Sequence, residues 1–131
     1  MNIELWALFV AGIMTYLTIL FQQLNMSASQ GSAYSLSNRD TPIEETPLAG
    51  RLRRAAKNGT EAVAVFAPLV IVTSIEGVSN AWTEYAAIAF MASRVLYLPA
   101  YAMGLVPIRT MIWSLGFFAL PFYVAGFFIG Y

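Results

Sequence analysis

The sequence contains neither cysteine nor histidine. Disulfide bonds, a cysteine nucleophile, an imidazole base and zinc sites of the usual kind are therefore excluded, and we predict no metal site. Charged residues make up only 11% of the chain, and the formal net charge is zero. Because no basic stretch has the spacing that neutralises nucleic-acid phosphates, we predict no nucleic-acid partner. Any chemistry must come from Arg, Lys, Glu, Asp, Tyr, Ser or Thr, or from a bound molecule that brings its own nucleophile.

Hydrophobic residues, by contrast, make up 59% of the 131 residues, and the mean hydropathy is +0.65. A soluble domain of this length cannot bury that much apolar surface, so the composition predicts an integral membrane protein. We place four membrane-spanning helices at about residues 3–24, 48–74, 81–103 and 107–131. The first of these lacks the basic start of a signal peptide and carries Glu4, which indicates a retained helix.

The connections between these spans differ in length. Residues 25–47 form one long polar loop rich in Ser, Asn and turn residues, whereas residues 75–80 and 104–106 are short links. Short links make consecutive helices antiparallel neighbours, so we predict an all-α fold in which residues 1–131 form one domain, an antiparallel four-helix membrane bundle. Basic residues cluster at the first and third connections, and the positive-inside rule then puts both in the cytoplasm and both termini outside.

Ionisable and polar residues run into the second span. Arg54, Asn58 and Glu61 project within about 60° of one another on a helix, so one face presents a cation, an amide and a carboxylate. A charge at membrane depth costs about 2.5–3.5 kcal/mol on insertion scales and usually persists only with a partner or a function. This face therefore indicates a polar ligand site that opens toward the cytoplasm.

The third span repeats the pattern of the second. Arg94, Tyr97 and Tyr101 stand at i, i+3 and i+7, so they share one helix face. Arg94 lies near mid-span, where it needs a partner, and we predict that Glu61 of the antiparallel second span supplies it. Guanidinium groups match carboxylates in bidentate pairs, so a site with three cations favours an anionic, carboxylate-bearing ligand. With two residues at the start of the fourth span, the candidates are Arg54, Asn58, Glu61, Arg94, Tyr97, Tyr101, Arg109 and Thr110.

Each candidate also has a purely structural interpretation. Arg54 and Lys57 near a helix start could be anchors that extend to the membrane interface. Glu61 and its predicted partner could be a buried structural pair, and the two tyrosines could be ordinary packing between helices with a hydroxyl at one end. Arg51 and Arg53 are better explained by the positive-inside rule than as ligands.

Two segments resemble the MAPEG family, the membrane-associated proteins in eicosanoid and glutathione metabolism. The segment 51-RLRRAAKNGTEAVAVF-66 is similar to the family signature R-A-x-x-N-x-x-E-x-x-x-x-F, and 94-RVLYLPAYAMGLVPIR-109 is similar to the third helix and the P-I-R turn after it. The resemblance covers nearly the whole chain, and small bacterial members are the most similar. It implies a homotrimer of left-handed four-helix bundles in a bacterial inner membrane, with glutathione bound between neighbouring subunits on the cytoplasmic side.

The resemblance also implies roles for the candidates of the second and third spans. Arg54, Asn58 and Glu61 would hold the peptide part of glutathione, which would serve as a co-substrate. Tyr101 would contact the same molecule, and Arg94 would pair within the bundle and help to bind the tripeptide. Glutathione would supply the thiol that this chain lacks.

At the start of the fourth span, the resemblance makes Arg109 the catalytic residue that stabilises the glutathione thiolate, with Thr110 as a second thiol contact. Tyr97 stands where some eicosanoid-metabolising members have histidine, and we include it among the glutathione-binding candidates. Ala64 and Val65 replace an aromatic-proline pair that is common in the family. These departures point away from a specific eicosanoid activity.

We therefore expect a glutathione-dependent transferase or peroxidase that acts on lipophilic electrophiles or lipid hydroperoxides, which would arrive laterally from the membrane lipids. The main alternative is a non-catalytic member that binds a lipid or an anionic metabolite in the same pocket. A third hypothesis is a small transporter or structural bundle, motivated by the predicted intramembrane Arg–Glu pair and the prolines inside the spans.

Overall fold

Long α-helices make up most of the structure, a computed structural model that describes residues 1–40 and 45–131. Among the described residues, three helices are long and apolar enough to cross a membrane, Ile3–Gln30, Pro47–Ile75 and Val106–Gly130, and the helix Ala81–Ala102 completes the bundle. The predicted all-α fold, a membrane four-helix bundle, is confirmed. In chain order the helices are α1 (Ile3–Gln30), the single turn α2 (Ser32–Ser35), α3 (Pro47–Ile75), α4 (Ala81–Ala102) and α5 (Val106–Gly130).

Local sequence explains where the long helices begin. The Thr46 hydroxyl accepts a hydrogen bond from the N–H of the third residue of α3 at 3.1 Å, and Pro47 occupies the first position, where a missing N–H costs nothing. Pro107 is the second residue of α5, where a backbone N–H likewise has no partner within the helix. At the start of α4, Asn80 and Thr83 each bond the other's backbone N–H in a capping box.

The first connection is shorter than predicted. α1 continues to Gln30, beyond the predicted end near residue 24, and a short helix follows it. The prediction of a loop over residues 25–47 is therefore wrong in its first part, and residues 41–44 lie outside the described residues. Polar side chains do not by themselves end a helix, whereas Gly31, with a φ of +88°, turns the chain out of it.

A group of aromatic rings forms the centre of the bundle. The ring centroid of Phe66 in α3 lies 4.1 Å from that of Phe90 in α4 and 5.5 Å from that of Tyr123 in α5. Ala7 and Ala11 of α1 are fully buried against this group, because small side chains let α1 approach closely. This core fixes the relative depth of the four long helices and therefore the positions of the polar residues at either end.

Gly126 allows α5 to lie directly against α4. A Cβ atom added to Gly126 would lie 2.7 Å from the Cβ of Trp82 and 3.0 Å from the backbone nitrogen of Thr83. We expect Gly126→Ala to lower the free energy of unfolding by about 1–3 kcal/mol, although alanine has the higher helix propensity. Thermal or detergent-induced unfolding would measure the change. Gly12→Ala is the matched control, because a Cβ there meets no described atom within 4 Å apart from its own helix backbone and chain neighbours, and equal losses in both variants would contradict this explanation.

A polar cluster that the sequence did not reveal lies where α4 begins. The side chain of Glu4 is buried, with 1% of its surface exposed. Its Oε1 atom accepts hydrogen bonds from the hydroxyls of Thr83 at 2.7 Å and Ser79 at 2.8 Å. Thr83 belongs to the first turn of α4, whose N–H groups carry partial positive charge that also stabilises a carboxylate. The cluster ties α1 to the connection between α3 and α4.

Candidate functional site

Four arginines gather at the opposite end of the bundle, where α3 begins and α4 ends, and we call this the arginine-rich end. Within the described residues, no carboxylate oxygen lies within 4.0 Å of a nitrogen of these four side chains. A group of cations without acidic partners in a membrane bundle is costly, and a bound anion would offset that cost. The four are Arg51 and Arg54 of α3, Arg94 of α4 and Arg109 of α5.

Tyr101 lies between two of these arginines. Its hydroxyl accepts a hydrogen bond from Nε of Arg54 at 2.9 Å, and the guanidinium carbon of Arg109 lies 4.7 Å from its ring centroid. Tyr97 precedes Tyr101 by one helical turn, so the two buried rings are neighbours, with centroids 5.2 Å apart. Cation–π attraction strengthens when the pair is shielded from water, so the buried phenol fixes the place of Arg109.

Arg94 is the deepest of the four arginines and is 5% exposed. Its Nη1 donates a hydrogen bond to Oδ1 of Asn58 at 2.9 Å, and its guanidinium carbon lies 4.7 Å from the ring centroid of Tyr97. Nε of Arg94 is buried and makes no hydrogen bond within the described residues. The guanidinium is therefore held by neutral groups only, without a carboxylate partner among the described residues.

The prediction that Glu61 pairs with Arg94 is wrong. The Glu61 carboxylate lies 4.0 Å from Nζ of Lys57, and 64% of its side chain is exposed. Asn58, one turn earlier on α3, meets Arg94 instead because its amide faces the bundle. Glu61 and Arg94 nevertheless line the same pocket, so a ligand could contact both.

That pocket, which we call the inner pocket, has a volume of about 300 Å³. Its polar wall is formed by side chains of α3 and α4, whereas the remainder is apolar and largely aromatic. Such a lining favours a ligand with a charged part and an apolar part. The polar wall consists of Asn58, Glu61 and Arg94, and the apolar remainder includes Val65, Phe90, Trp113, Phe117 and Leu120.

A second pocket, the outer pocket, has a volume of about 240 Å³ and is lined by Tyr97, Tyr101, Arg109, Thr110 and Trp113. The Thr110 hydroxyl donates to the carbonyl of the residue four positions earlier at 3.1 Å, which leaves its lone pairs free to accept. Trp113 lines both pockets and packs against the two tyrosines, yet it was not among the predicted residues. The sequence feature that could have identified Trp113 is its position one helical turn after Arg109.

All eight predicted residues thus lie at the arginine-rich end, in the inner pocket, the outer pocket or direct contact with them. Arg53 does not join them, because its Nε pairs with Oε1 of Glu45 at 2.8 Å on the exposed surface. A larger pocket of about 720 Å³ lies between α4 and α5 beside Trp82 and Phe122, and its lining is almost entirely apolar. It contains none of the eight residues.

Neither a curated protein nor a solved structure matches this chain significantly. The model of the MAPEG family, by contrast, matches residues 3–129 of the 131. The match covers the whole arginine-rich end and all four long helices except the last residue of α5. The protein is therefore a member of the MAPEG family, the membrane four-helix bundles associated with glutathione and eicosanoid metabolism.

Proposed function

We propose that the arginine-rich end binds glutathione and that the protein is a glutathione-dependent transferase or peroxidase for lipophilic electrophiles or lipid hydroperoxides. The observation that carries this proposal is that Tyr101 contacts two cations. Arg54 donates a hydrogen bond to its hydroxyl, and the Arg109 guanidinium lies over its ring at the outer pocket. Glutathione carries two carboxylates for the cations and a thiol that this cysteine-free chain lacks.

Each group of the tripeptide has a matching side chain. Arg54 and Arg94 are suited to its carboxylates, because a planar guanidinium binds a carboxylate through two parallel hydrogen bonds. The exposed carboxylate of Glu61 suits its ammonium group, and the Asn58 amide suits its peptide bonds. Tyr97 and Tyr101 would pack against the chain of the tripeptide.

The thiol would then lie beside Arg109, whose positive charge lowers the thiol pKa so that more of it is thiolate. Thr110 lines the same pocket, and its hydroxyl would donate a hydrogen bond to the thiolate once it releases the carbonyl of Val106. The thiolate would attack an electrophilic carbon, so that a C–S bond forms while a leaving group departs or an activated double bond takes up the proton. With a hydroperoxide it would attack the terminal oxygen, so that the O–O bond breaks, the alcohol leaves and glutathione sulfenic acid forms. A second glutathione would reduce this sulfenic acid to the disulfide, with release of water. The lipophilic substrate would reach the site from the bilayer. Much of the rate gain would then come from holding both reactants together in one site.

We further propose a homotrimer with glutathione between subunits, in a bacterial inner membrane with the arginine-rich end toward the cytoplasm. Arg54 and Glu61 are both exposed in the single chain, so the site is open on the side that a neighbouring subunit would cover. The clustering of basic residues at this end supports the orientation.

Calorimetric titration of the detergent-purified protein with glutathione tests the binding site. We expect saturable binding that weakens at least about tenfold in Arg54→Ala, since about 1.4 kcal/mol is lost with a charge-assisted contact. Arg53→Ala is the matched control, because this adjacent arginine faces Glu45 at the surface, and its affinity should stay within about twofold of the parent. Absence of binding at millimolar glutathione would refute the proposal.

A second candidate function is the binding of an anionic lipid or metabolite without catalysis. The observation that favours it is the buried Arg94, which has no carboxylate partner in the described residues and faces a largely apolar inner pocket. Mass spectrometry of the purified protein discriminates the two functions. An anionic lipid that copurifies and is not displaced by glutathione would favour this second function.

A further inference from the structure

The turn between α4 and α5 sets the starting point of the helix that carries Arg109. The N–H of Leu105 donates to the carbonyl of Ala100 and that of Gly104 to the carbonyl of Tyr101, both at 3.1 Å, and Gly104 has a φ of +71°. These two bonds and the left-handed glycine form a Schellman motif. The N–H of Arg109 in turn donates to the carbonyl of Leu105 at 2.8 Å, so the turn determines where Arg109 lies.

Arg51 of α3 lies against this turn. A Cβ atom added to Gly104 would overlap Nη1 of Arg51 and would lie 3.5 Å from its guanidinium carbon. The guanidinium therefore occupies the space that a side chain at position 104 would fill. The last turn of α4 has no basic residue of its own, so the positive charge that favours a helix C-terminus comes here from another helix.

Arg51 and Arg54 are one helical turn apart on α3, and together they hold the end of α4 at two points. Arg54 bonds the hydroxyl of Tyr101 at 2.9 Å, and Arg51 packs on Gly104 three residues later. Nε of Arg51 is buried and makes no hydrogen bond among the described residues, so its contact with the turn acts through charge and packing. Both contacts bear on Arg109, which lies over the same Tyr101 ring.

We propose that Arg51, which the sequence pattern assigned to membrane orientation only, is a positioning residue for Arg109. By holding the α4–α5 turn, it sets the distance between the Arg109 cation and the glutathione sulfur, and so the fraction of thiolate. The effect on the glutathione thiolate rests on the proposed function, whereas the effect on the position of the α4–α5 turn does not. Arg51 lines neither the inner nor the outer pocket, so in this proposal it would act through the turn and not through a contact with glutathione.

The chemical consequence is tested by the pH midpoint of the ultraviolet thiolate band of bound glutathione. Arg51→Met should raise the midpoint by about one pH unit, while glutathione affinity changes less than about threefold, because the variant removes no direct contact. Arg51→Lys should bring the midpoint most of the way back to the parent value, since lysine keeps the positive charge that a helix C-terminus favours. A midpoint unchanged in Arg51→Met, in a protein whose thiolate band Arg109→Ala removes, would overturn the inference and leave the proposed function intact.

Gly104→Ala offers a second variant that keeps Arg51 but displaces its guanidinium, so the midpoint should rise as in Arg51→Met. The matched control is Gly77→Ala in the connection between α3 and α4. Gly77 has a nearly equal φ of +69°, but a Cβ there meets no atom of the described residues within 4 Å apart from its chain neighbours. The control therefore has the same backbone strain without moving an arginine, and its midpoint should stay at the parent value.

The structural consequence can be measured without glutathione. Because the chain has no cysteine, spin labels can be placed at the exposed positions of Leu48→Cys and Met103→Cys, in subunits diluted with unlabelled protein. The distance distribution should be narrow in the parent, broad in Arg51→Met and narrow again in Arg51→Lys. Identical distributions in all three would overturn the positioning role even if glutathione binds. A broadened distribution in a protein that binds no glutathione would support it and refute only the proposed function.

Discussion

Replacement of Arg109 by alanine is expected to leave glutathione bound but with its thiol protonated. The thiolate band should disappear near neutral pH, and turnover should fall by about 100-fold, the usual effect of removing one preorganised group that stabilises a reacting anion. Affinity for glutathione should change less than about threefold, because the proposed site assigns the carboxylates of the tripeptide to other arginines. The physical reason is the position of Arg109, which its cation–π contact with Tyr101 at 4.7 Å holds at the outer pocket.

Three measurements separate this role from loss of structure. Calorimetry gives the affinity, the ultraviolet difference spectrum gives the thiolate fraction, and single-turnover kinetics with a reactive lipophilic electrophile gives the chemical step. Arg109→Lys should keep part of the thiolate, since a point charge remains, and Arg53→Ala should match the parent in all three. Full turnover in Arg109→Ala would show that the sulfur is activated by another group.

The grouping of the candidate residues could be predicted because its signals are local. Arg54 and Asn58 share one face of α3 by helix periodicity, and Arg94, Tyr97 and Tyr101 share one face of α4 for the same reason. The antiparallel arrangement of the helices then brings the two faces to one end of the bundle. Membrane hydropathy adds a strong constraint, since polar residues within an apolar helix must face other protein or a cavity.

The partners within the site could not be predicted in the same way. Glu61 and Asn58 are one turn apart on α3, and only the rotation of that helix decides which of them meets Arg94. Likewise, the contact of Arg51 depends on the missing side chain of Gly104, far away in the sequence. The positive-inside rule treats Arg51 and Arg53 alike. In the structure, however, Arg51 packs against the α4–α5 turn, whereas Arg53 pairs with a surface carboxylate.

The buried cluster around Glu4 shows the same limit at the other end of the bundle. Glu4 lies in the first turn of α1, where an acidic residue ordinarily needs no more explanation than the helix dipole. Its partners Ser79 and Thr83 are more than seventy residues away, and neither forms a recognisable motif with it. Only the packing of α1 between α3 and α4 brings the carboxylate to the start of α4.

Glu4→Ala is therefore expected to lower the free energy of unfolding by about 2–4 kcal/mol, through the cavity left by a buried side chain and the loss of an acceptor for two hydroxyls. Glu4→Gln keeps the shape and one carbonyl oxygen, so its loss should stay below about 1 kcal/mol. Unfolding in one detergent, followed by circular dichroism, would measure both variants. The difference between the two variants matters more than either value. It separates the stability that comes from the hydrogen-bond acceptor and the side-chain volume from the stability that comes from the negative charge.

The matched control is Glu84→Ala, a change of the same type at the same end of the bundle. Glu84 is exposed, and the Ser79 hydroxyl lies 3.4 Å from its carboxylate, which is too long for a strong hydrogen bond. Its replacement should change stability by less than about 0.5 kcal/mol. If Glu4→Gln is as damaging as Glu4→Ala, the ionised carboxylate itself is required at the start of α4. If both are harmless, the two hydroxyls find other partners and the cluster does not hold α1 in place.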